Sequence, residues 1–203
     1  MNILLLDGLP YDYKETPLSA DFRNMINADL ILHDPEIPDE EKTFLVLNQL
    51  FENIPNDIQQ AIDGFSWFFS RGQHEDKEGV GKSKSASQKG FDFEQDANTI
   101  YAAFYATYNI SLTTIDFLHW WEFMALFEGL PETTHMKQII YWRTADLAGM
   151  PKREKKHILK MRKLVALKNP DKKVLSVEEI NQQTKDRVME RFEQVRRQQE
   201  GEC

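Results

Sequence analysis

The sequence predicts an all-α protein: a compact helical domain of about six to seven helices, with a flexible internal linker and a C-terminal helical arm. Two observations carry this prediction. Apolar residues recur at intervals of three and four along most of the chain, which is the spacing of one helix face. Proline, glycine, asparagine and aspartate separate the apolar segments, and no segment shows the apolar–polar alternation of a strand.

Three helices are predicted in the first third of the chain. The first covers residues 19–32, the second opens at Asp39, where acids in the first turn suit the helix dipole, and the third covers about 55–72. The side chains expected in the core are Phe22, Met25, Ile26, Leu30, Phe44, Leu47, Leu50, Phe51, Ile58, Ala61, Ile62, Phe65 and Phe69.

Residues 72–90 are predicted to form a flexible linker or loop. They contain Val80 and Ala86 but no aromatic residue, so they cannot bury enough surface to offset the cost of ordering. Within them, residues 79–83 (GVGKS) resemble the end of a phosphate-binding loop. Asp76 stands where that motif needs its first glycine, and no strand precedes it, so nucleotide binding is not expected.

The most apolar helix is predicted over residues 113–128. It carries Trp120 and Trp121 side by side and is apolar around almost its whole circumference, so it must be buried. Gly129 and Pro131 supply its stop signal. This helix is expected to be the packing centre of the protein.

Four further helices are predicted around it in sequence. One carries an aromatic stripe after Phe91, one covers about 133–147, one starts at Pro151 and is very basic, and the last opens with a capping box of Ser176 and Glu179. The core positions expected on the first two are Ala97, Ile100, Tyr101, Phe104, Tyr108, Met136, Ile139 and Ile140.

Charge divides the chain into an acidic helical body, residues 1–150, and a basic helical arm, residues 151–203. Residues 1–149 carry 10 Lys and Arg against 24 Asp and Glu, a net charge of −14, whereas residues 150–203 carry 15 against 9, a net charge of +6. A basic arm on an acidic body indicates an acidic partner for the arm. That partner could be the body itself, another subunit or nucleic acid.

The arm is predicted to bind partners through lysines on its first helix and an apolar stripe on its second. An amphipathic stripe of this kind suits docking on another protein. Nucleic acid is a less favoured partner, because the lysines have no interleaved aromatic residues and the whole chain has a net charge of −8. The residues of this predicted surface are Lys155, Lys156, Lys160, Lys163, Val177, Ile180, Val188, Phe192 and Val195.

One polar strip could carry chemistry. Asp116, His119 and Glu122 recur every three residues on the predicted buried helix, and carboxylates beside an imidazole can serve acid–base catalysis or hold a metal. A metal site would need more ligands at tighter spacing, so a hydrogen-bonded seam at the edge of the core is the favoured interpretation. No catalytic, cofactor-binding or metal-binding residue is expected, and no enzymatic activity.

Three segments of the sequence resemble the bacteriophage Gp-fifteen family. They are Leu118-His119-Trp120-Trp121-Glu122-Phe123 with the following Gly129-Leu130-Pro131, the lead-in Ile100-Tyr101-Ala102-Ala103-Phe104, and Ile139-Ile140-Tyr141-Trp142-Arg143-Thr144. The segment Ala20-Asp21-Phe22-Arg23 also looks like a part of that family. The resemblance covers most of residues 1–170, and none of the last 30 or so.

The resemblance implies a tail assembly chaperone of phages and prophages. Such proteins are encoded in the tail-gene block, bind the tape-measure protein and tail-tube subunits, and act in the cytoplasm of the bacterial host. It also implies a possible contact with the upstream-encoded chaperone and a possible homo-oligomer, and no cofactor. The alternatives are a minor structural protein of the tail and a nucleic-acid-binding accessory protein. No membrane span or secretory signal is recognised, and the lone Cys203 excludes an internal disulfide.

Overall fold

The computed structural model describes residues 8–72 and 90–168, and the chain divides into two compact units that contain these two segments. Seven α-helices and a two-stranded hairpin lie in the described residues, so the predicted mostly helical fold is confirmed. No helix in these two segments is long and apolar enough to cross a membrane. The predicted linker and eighth helix lie almost wholly outside the described residues, and the boundary predicted at residue 150 stays a prediction.

The first unit opens with a short hairpin. Strands β1 (Asp12–Tyr13) and β2 (Thr16–Pro17) pair antiparallel, and the two residues between them, Lys14 and Glu15, both have positive φ values, 47° and 67°. Two such residues in succession are typical of the tight type I′ turn of hairpins. Strands of two residues are too short to produce an alternating pattern, which is why the sequence did not indicate them.

Three helices follow the hairpin: α1 (Phe22–His33), α2 (Asp39–Leu50) and α3 (Ile58–Phe69). The side chain of Asp21 caps α1 by accepting the Arg23 N–H at 2.9 Å, and Asp57 caps α3 by accepting the Gln60 N–H at 3.1 Å. Both helices therefore begin about three residues later than predicted, directly after a capping aspartate. Helix α2 begins at the predicted residue, with three acids in its first turn.

The core of the first unit is formed mainly by α1 packed on α2, together with α3. Most of the predicted core side chains are buried or half-buried, but the prediction for Phe44 is wrong, because 52% of this residue is exposed. Helix α2 turns its Val46, Leu47 and Leu50 side inward instead. At Gly64 on α3, a Cβ atom would lie 2.7 Å from Cδ1 of Tyr13, so only glycine allows the hairpin to pack this closely on the helix.

The second unit contains α4 (Ala97–Tyr108), α5 (Trp120–Glu128), α6 (His135–Thr144) and α7 (Lys152–Leu164). Helix α6 is shorter at both ends than predicted, because Thr134 caps its start and the backbone turns extended at Ala145. Helix α7 follows Pro151, as predicted. Helix α4 contacts both α5 and α6, and α7 contacts α6.

Helix α5 confirms the prediction of a buried centre but not its length. Trp120, Trp121, Phe123 and Phe127 are all buried. The predicted start at residue 113 is wrong, because residues 113–119 are turns and extended backbone, and the helix begins only at Trp120. A local turn at Ser111, whose carbonyl accepts the N–H groups of residues 114 and 115, takes the place of the first helical turns.

The interior of the second unit contains a cluster of aromatic rings. Phe123 stacks against three other rings, with centroid distances of 5.0 Å to Phe104, 5.8 Å to Trp120 and 6.3 Å to Phe127. Offset aromatic pairs of this kind add about 0.5–1.5 kcal/mol each beyond the area that they bury. Tyr108 closes the cluster by donating its hydroxyl to the Leu126 carbonyl at 2.8 Å. These aromatic side chains therefore serve core packing.

Candidate functional site

The exposed face of α7 is lined by lysines. Lys152, Lys155, Lys156, Lys160 and Lys163 surround Leu159, and together these six residues line a shallow groove. We refer to them as the basic face. Leu159 is 39% exposed, and all five lysines are exposed. The four lysines predicted to bind partners thus lie together on one surface, as their spacing of three and four residues requires.

The opposite side of α7 packs inward. Ile158 is 2% exposed, and Met161 and Arg162 are half-buried. Helix α7 makes its interhelical contacts with α6, the preceding helix in the chain. Because the inner side fixes the rotation of the helix, the lysines point to solvent together.

The C-termini of α6 and α7 cap each other through arginines. Arg162 of α7 donates from Nε to the Trp142 carbonyl at 2.8 Å and from Nη2 to the Ala145 carbonyl at 2.6 Å, at the end of α6. Arg143 of α6 donates in return from Nε to the carbonyl of Val165, the cap residue of α7, at 2.6 Å. Each guanidinium satisfies carbonyls that have no partner inside a helix, so the two helix ends are held as one element.

Arg143 also forms a buried ion pair with Asp96, the residue that precedes α4. The two side chains meet at 2.5 Å and 2.9 Å in a two-pronged contact, and their exposed fractions are 3% and 5%. A third donor bond runs from Arg143 Nη1 to the Gly90 carbonyl at 3.2 Å, and Asp96 Oδ2 also accepts the backbone N–H of Asp92 at 2.9 Å. Both desolvated charges are thus paired and hydrogen-bonded, which a buried ion pair requires.

The sequence did not indicate that Arg143 and Asp96 form a buried ion pair, or that Arg162 caps a helix. A signal was present for Arg143, because it continues the buried stripe of Met136 and Ile139 at the next helical position. A charge on an apolar stripe indicates a buried partner. Its partner Asp96 lies 47 residues away in the chain, and no local pattern identifies it.

Asp116, His119 and Glu122 do not share one face of α5, because only Glu122 lies within the helix. His119 is not within α5 but is its N-cap residue, fully buried, and its Nδ1 accepts the backbone N–H of Trp121 at 3.0 Å. Asp116 lies before the helix and is exposed. In the part of the chain that the structure describes, no group of three or more His, Cys, Asp or Glu residues could hold a metal ion. The expected seam at the edge of the core is corrected to a buried helix cap.

The predicted partner-binding surface also includes an apolar stripe beyond α7. Val177, Ile180, Val188, Phe192 and Val195 lie outside the described residues. The candidate site is therefore the basic face. The hydrogen bonds between the arginines and the carbonyls at the ends of α6 and α7 hold its helix in place.

Fold and site define a mostly helical protein with an exposed lysine-rich face on α7. A comparison with family models identifies its relatives: the model described as Bacteriophage Gp15 protein matches residues 5–167. The chain therefore belongs to the bacteriophage Gp15 protein family, and it is a phage-associated protein. The resemblance seen in the tryptophan-rich segments is thereby confirmed. Neither the comparison with curated proteins nor that with solved structures found a match.

Proposed function

We propose that this protein is a non-enzymatic tail assembly chaperone, which binds the tape-measure protein and tail-tube subunits in the host cytoplasm during tail morphogenesis. Membership of the Gp15 family and the resemblance of its signature segments support this role. The observation that carries it is the basic face of α7, an exposed helix face with a leucine at its centre and lysines around it.

The basic face suits a helical client. An amphipathic helix docks through apolar residues at its centre, and charges at the rim select orientation and partner. Leu159 offers the apolar centre, and the surrounding lysines favour a client helix with an acidic flank. The lysine stems also add apolar contact area while their ammonium groups stay in water. Because the arginine caps hold α7 in place, little ordering cost remains for the chaperone on binding.

Co-purification with the tape-measure protein tests this proposal. The client is co-expressed with the tagged chain, and the amount captured is compared with that captured by a variant carrying Lys155→Glu, Lys156→Glu, Lys160→Glu and Lys163→Glu. We expect the reversal to lower capture at least about tenfold, because it places like charges opposite an acidic flank. A control, Lys14→Glu with Lys168→Glu, changes exposed lysines outside α7 and should retain the client.

Truncation at Pro170 separates the two halves of the predicted arm. If the basic face carries the binding, the truncated chain keeps most of its client, whereas loss of the client would assign binding to the residues beyond 170. Capture that is unaffected by both changes would exclude the arm from client binding. A chaperone is also expected to be absent from purified phage particles, and its presence there at constant stoichiometry would favour a minor structural protein of the tail.

The basic face also favours a second candidate function, the binding of nucleic acid. Five lysines on one face could release counterions from a phosphate backbone. Binding of this kind is weakened by salt in proportion to the number of phosphate contacts, and it would disappear in the fourfold lysine reversal. Retention of duplex DNA by the wild-type chain at physiological salt, lost in that variant, would support this function over the chaperone role.

A further inference from the structure

The exposed face of α2 is a second unusual surface. Phe44 and Leu45 are 52% and 39% exposed, and Glu40 and Glu41 are exposed one turn before them. The inward side of the same helix, with Val46, Leu47 and Leu50, is buried. We refer to residues 40, 41, 44, 45 and 48 as the acidic face of α2.

This face is unlike a typical solvent-facing helix surface. Single exposed apolar residues are common, but two large ones side by side on a helix of twelve residues form a patch. The first unit is acidic, with 12 Asp and Glu against 4 Lys and Arg over residues 8–72, and the lysine of α2, Lys42, is mostly buried and paired with Asp39 at 3.1 Å. An apolar patch with an acidic border favours a basic partner that has an apolar centre.

The basic face of α7 has the complementary properties. The two helices have nearly equal lengths, 12 and 13 residues, and each face has an apolar centre. Where α2 places glutamates, the basic face of α7 places lysines, and Glu154, the acid of α7, is not one of its residues. A lysine ammonium can also lie over the ring of Phe44, and its alkyl stem can cover the ring edge. Charge and apolar pattern therefore match between two surfaces of the same chain.

We propose that the acidic face of α2 binds the basic face of α7 of a second copy of this chain. The proposal does not depend on the chaperone role. Since two different surfaces meet, a dimer joined by a single contact keeps one unused face of each kind. Association therefore continues beyond the dimer unless a ring closes. One helix pair buries less surface than a standard stable interface, so the association is weak, in the micromolar range, and sensitive to salt.

Sedimentation velocity of the full chain over a range of concentrations tests this proposal. We expect the wild-type mass to rise with concentration, and the dissociation constant to increase at least about tenfold in Glu40→Lys/Glu41→Lys and in Lys155→Glu/Lys156→Glu. Mixing the two variants in equal amounts should restore association, because the mixture again offers faces of opposite charge. Phe44→Ser, which leaves the acids of the first helical turn in place, should weaken association as well.

Two control variants match these changes in charge. Lys14→Glu/Lys168→Glu and Glu52→Lys/Glu94→Lys alter exposed residues outside both faces, and both should associate like the wild type. A wild-type chain that stays monomeric at every concentration would overturn the proposal. So would a dissociation constant that either charge reversal leaves unchanged, or a mixture of the two variants that does not associate. Loss of DNA retention on reversal of α7, with no change of mass on reversal of α2, would assign the basic face to nucleic acid and also overturn it.

Discussion

Arg143 contacts three different parts of the second unit. Its guanidinium donates four hydrogen bonds, two to Asp96 and one each to the carbonyls of Gly90 and Val165. Gly90 permits the close approach, because a Cβ atom there would lie 3.0 Å from a methyl group of Ile140. A single buried cation thus connects the start of α4, the end of α6 and the end of α7.

Removing one partner of this ion pair should be costly. We expect Arg143→Ala and Asp96→Ala each to lower the free energy of unfolding by about 3–5 kcal/mol, because the other charge stays buried without its partner. The double variant should lose much less than the sum of the two. Urea unfolding followed by tryptophan fluorescence measures this, and additive losses would show that the pair is not coupled.

His119 gives a second prediction at this scale. His119→Ala removes both a helix cap and a fully buried side chain, so we expect a loss of about 2–3 kcal/mol. His119→Asn keeps an acceptor for the Trp121 N–H and should lose less. The exposed His157→Ala serves as the matched control and should change the unfolding free energy by less than about 0.5 kcal/mol. Equal losses for the two His119 variants would argue against a capping role.

At the scale of the elements, α6 and α7 form one connected pair of helices. Pro151 starts α7 with a fixed φ, and Gly149, at a φ of 74°, supplies the left-handed backbone that the turn between the helices requires. The arginine caps then join the C-terminal ends of the two helices. The orientation of the basic face is a consequence of this arrangement, because the inward residues of α7 and its arginine determine which side is left for solvent.

The caps should be visible in hydrogen exchange. Arg162→Ala leaves the carbonyls of Trp142 and Ala145 without their donor, at a cost of about 1.5–3 kcal/mol for hydrogen bonds to a charged group. We expect faster amide exchange in the last turns of both α6 and α7, with α4 and α5 little changed. Arg153→Ala, an exposed position on the same helix, is the control. Faster exchange confined to α7 would show that Arg162 does not hold the two helices together.

At the scale of the whole molecule, the charge is unevenly distributed, with a net charge of −14 over residues 1–149 and +6 over residues 150–203. If α2 and α7 of different copies bind each other, raising the salt concentration from about 0.1 M to about 1 M shortens the Debye length from about 10 Å to about 3 Å and should weaken self-association about tenfold. Sedimentation at the two salt concentrations measures the change. Association that strengthens with salt would indicate an apolar contact without charge complementarity.

The two proposals together predict competition for the basic face. A client helix bound to α7 occupies the surface that a second copy would use, so added tape-measure fragment should reduce self-association in proportion to the client bound. Sedimentation with a fluorescently labelled fragment follows both species at once. The Glu40→Lys/Glu41→Lys variant is the control, because it should bind the client without having to dissociate first. If client binding and full self-association occur together, the client and the second copy bind different surfaces.

Sequence alone determined the helical class, the approximate position of each described helix and the set of lysines on α7. These properties are local: helical spacing, capping residues and stop signals all act within a few residues of one another. The prediction that Trp120 and Trp121 mark a buried centre was correct for the same reason, because a helix that is apolar on all sides has no polar face that could be exposed to solvent.

Tertiary structure alone decided which residues those helices expose and which charges they bury. Phe44 was predicted to be buried, but α2 packs on α1 through its other side. His119 was placed inside a helix, yet the turn before it makes it a cap. Arg143 finds Asp96 and Val165 at separations of 47 and 22 residues. Periodicity assigns a residue to a helix face, but only long-range packing selects the face that is buried. The same packing therefore determines which residues remain exposed and can bind a partner.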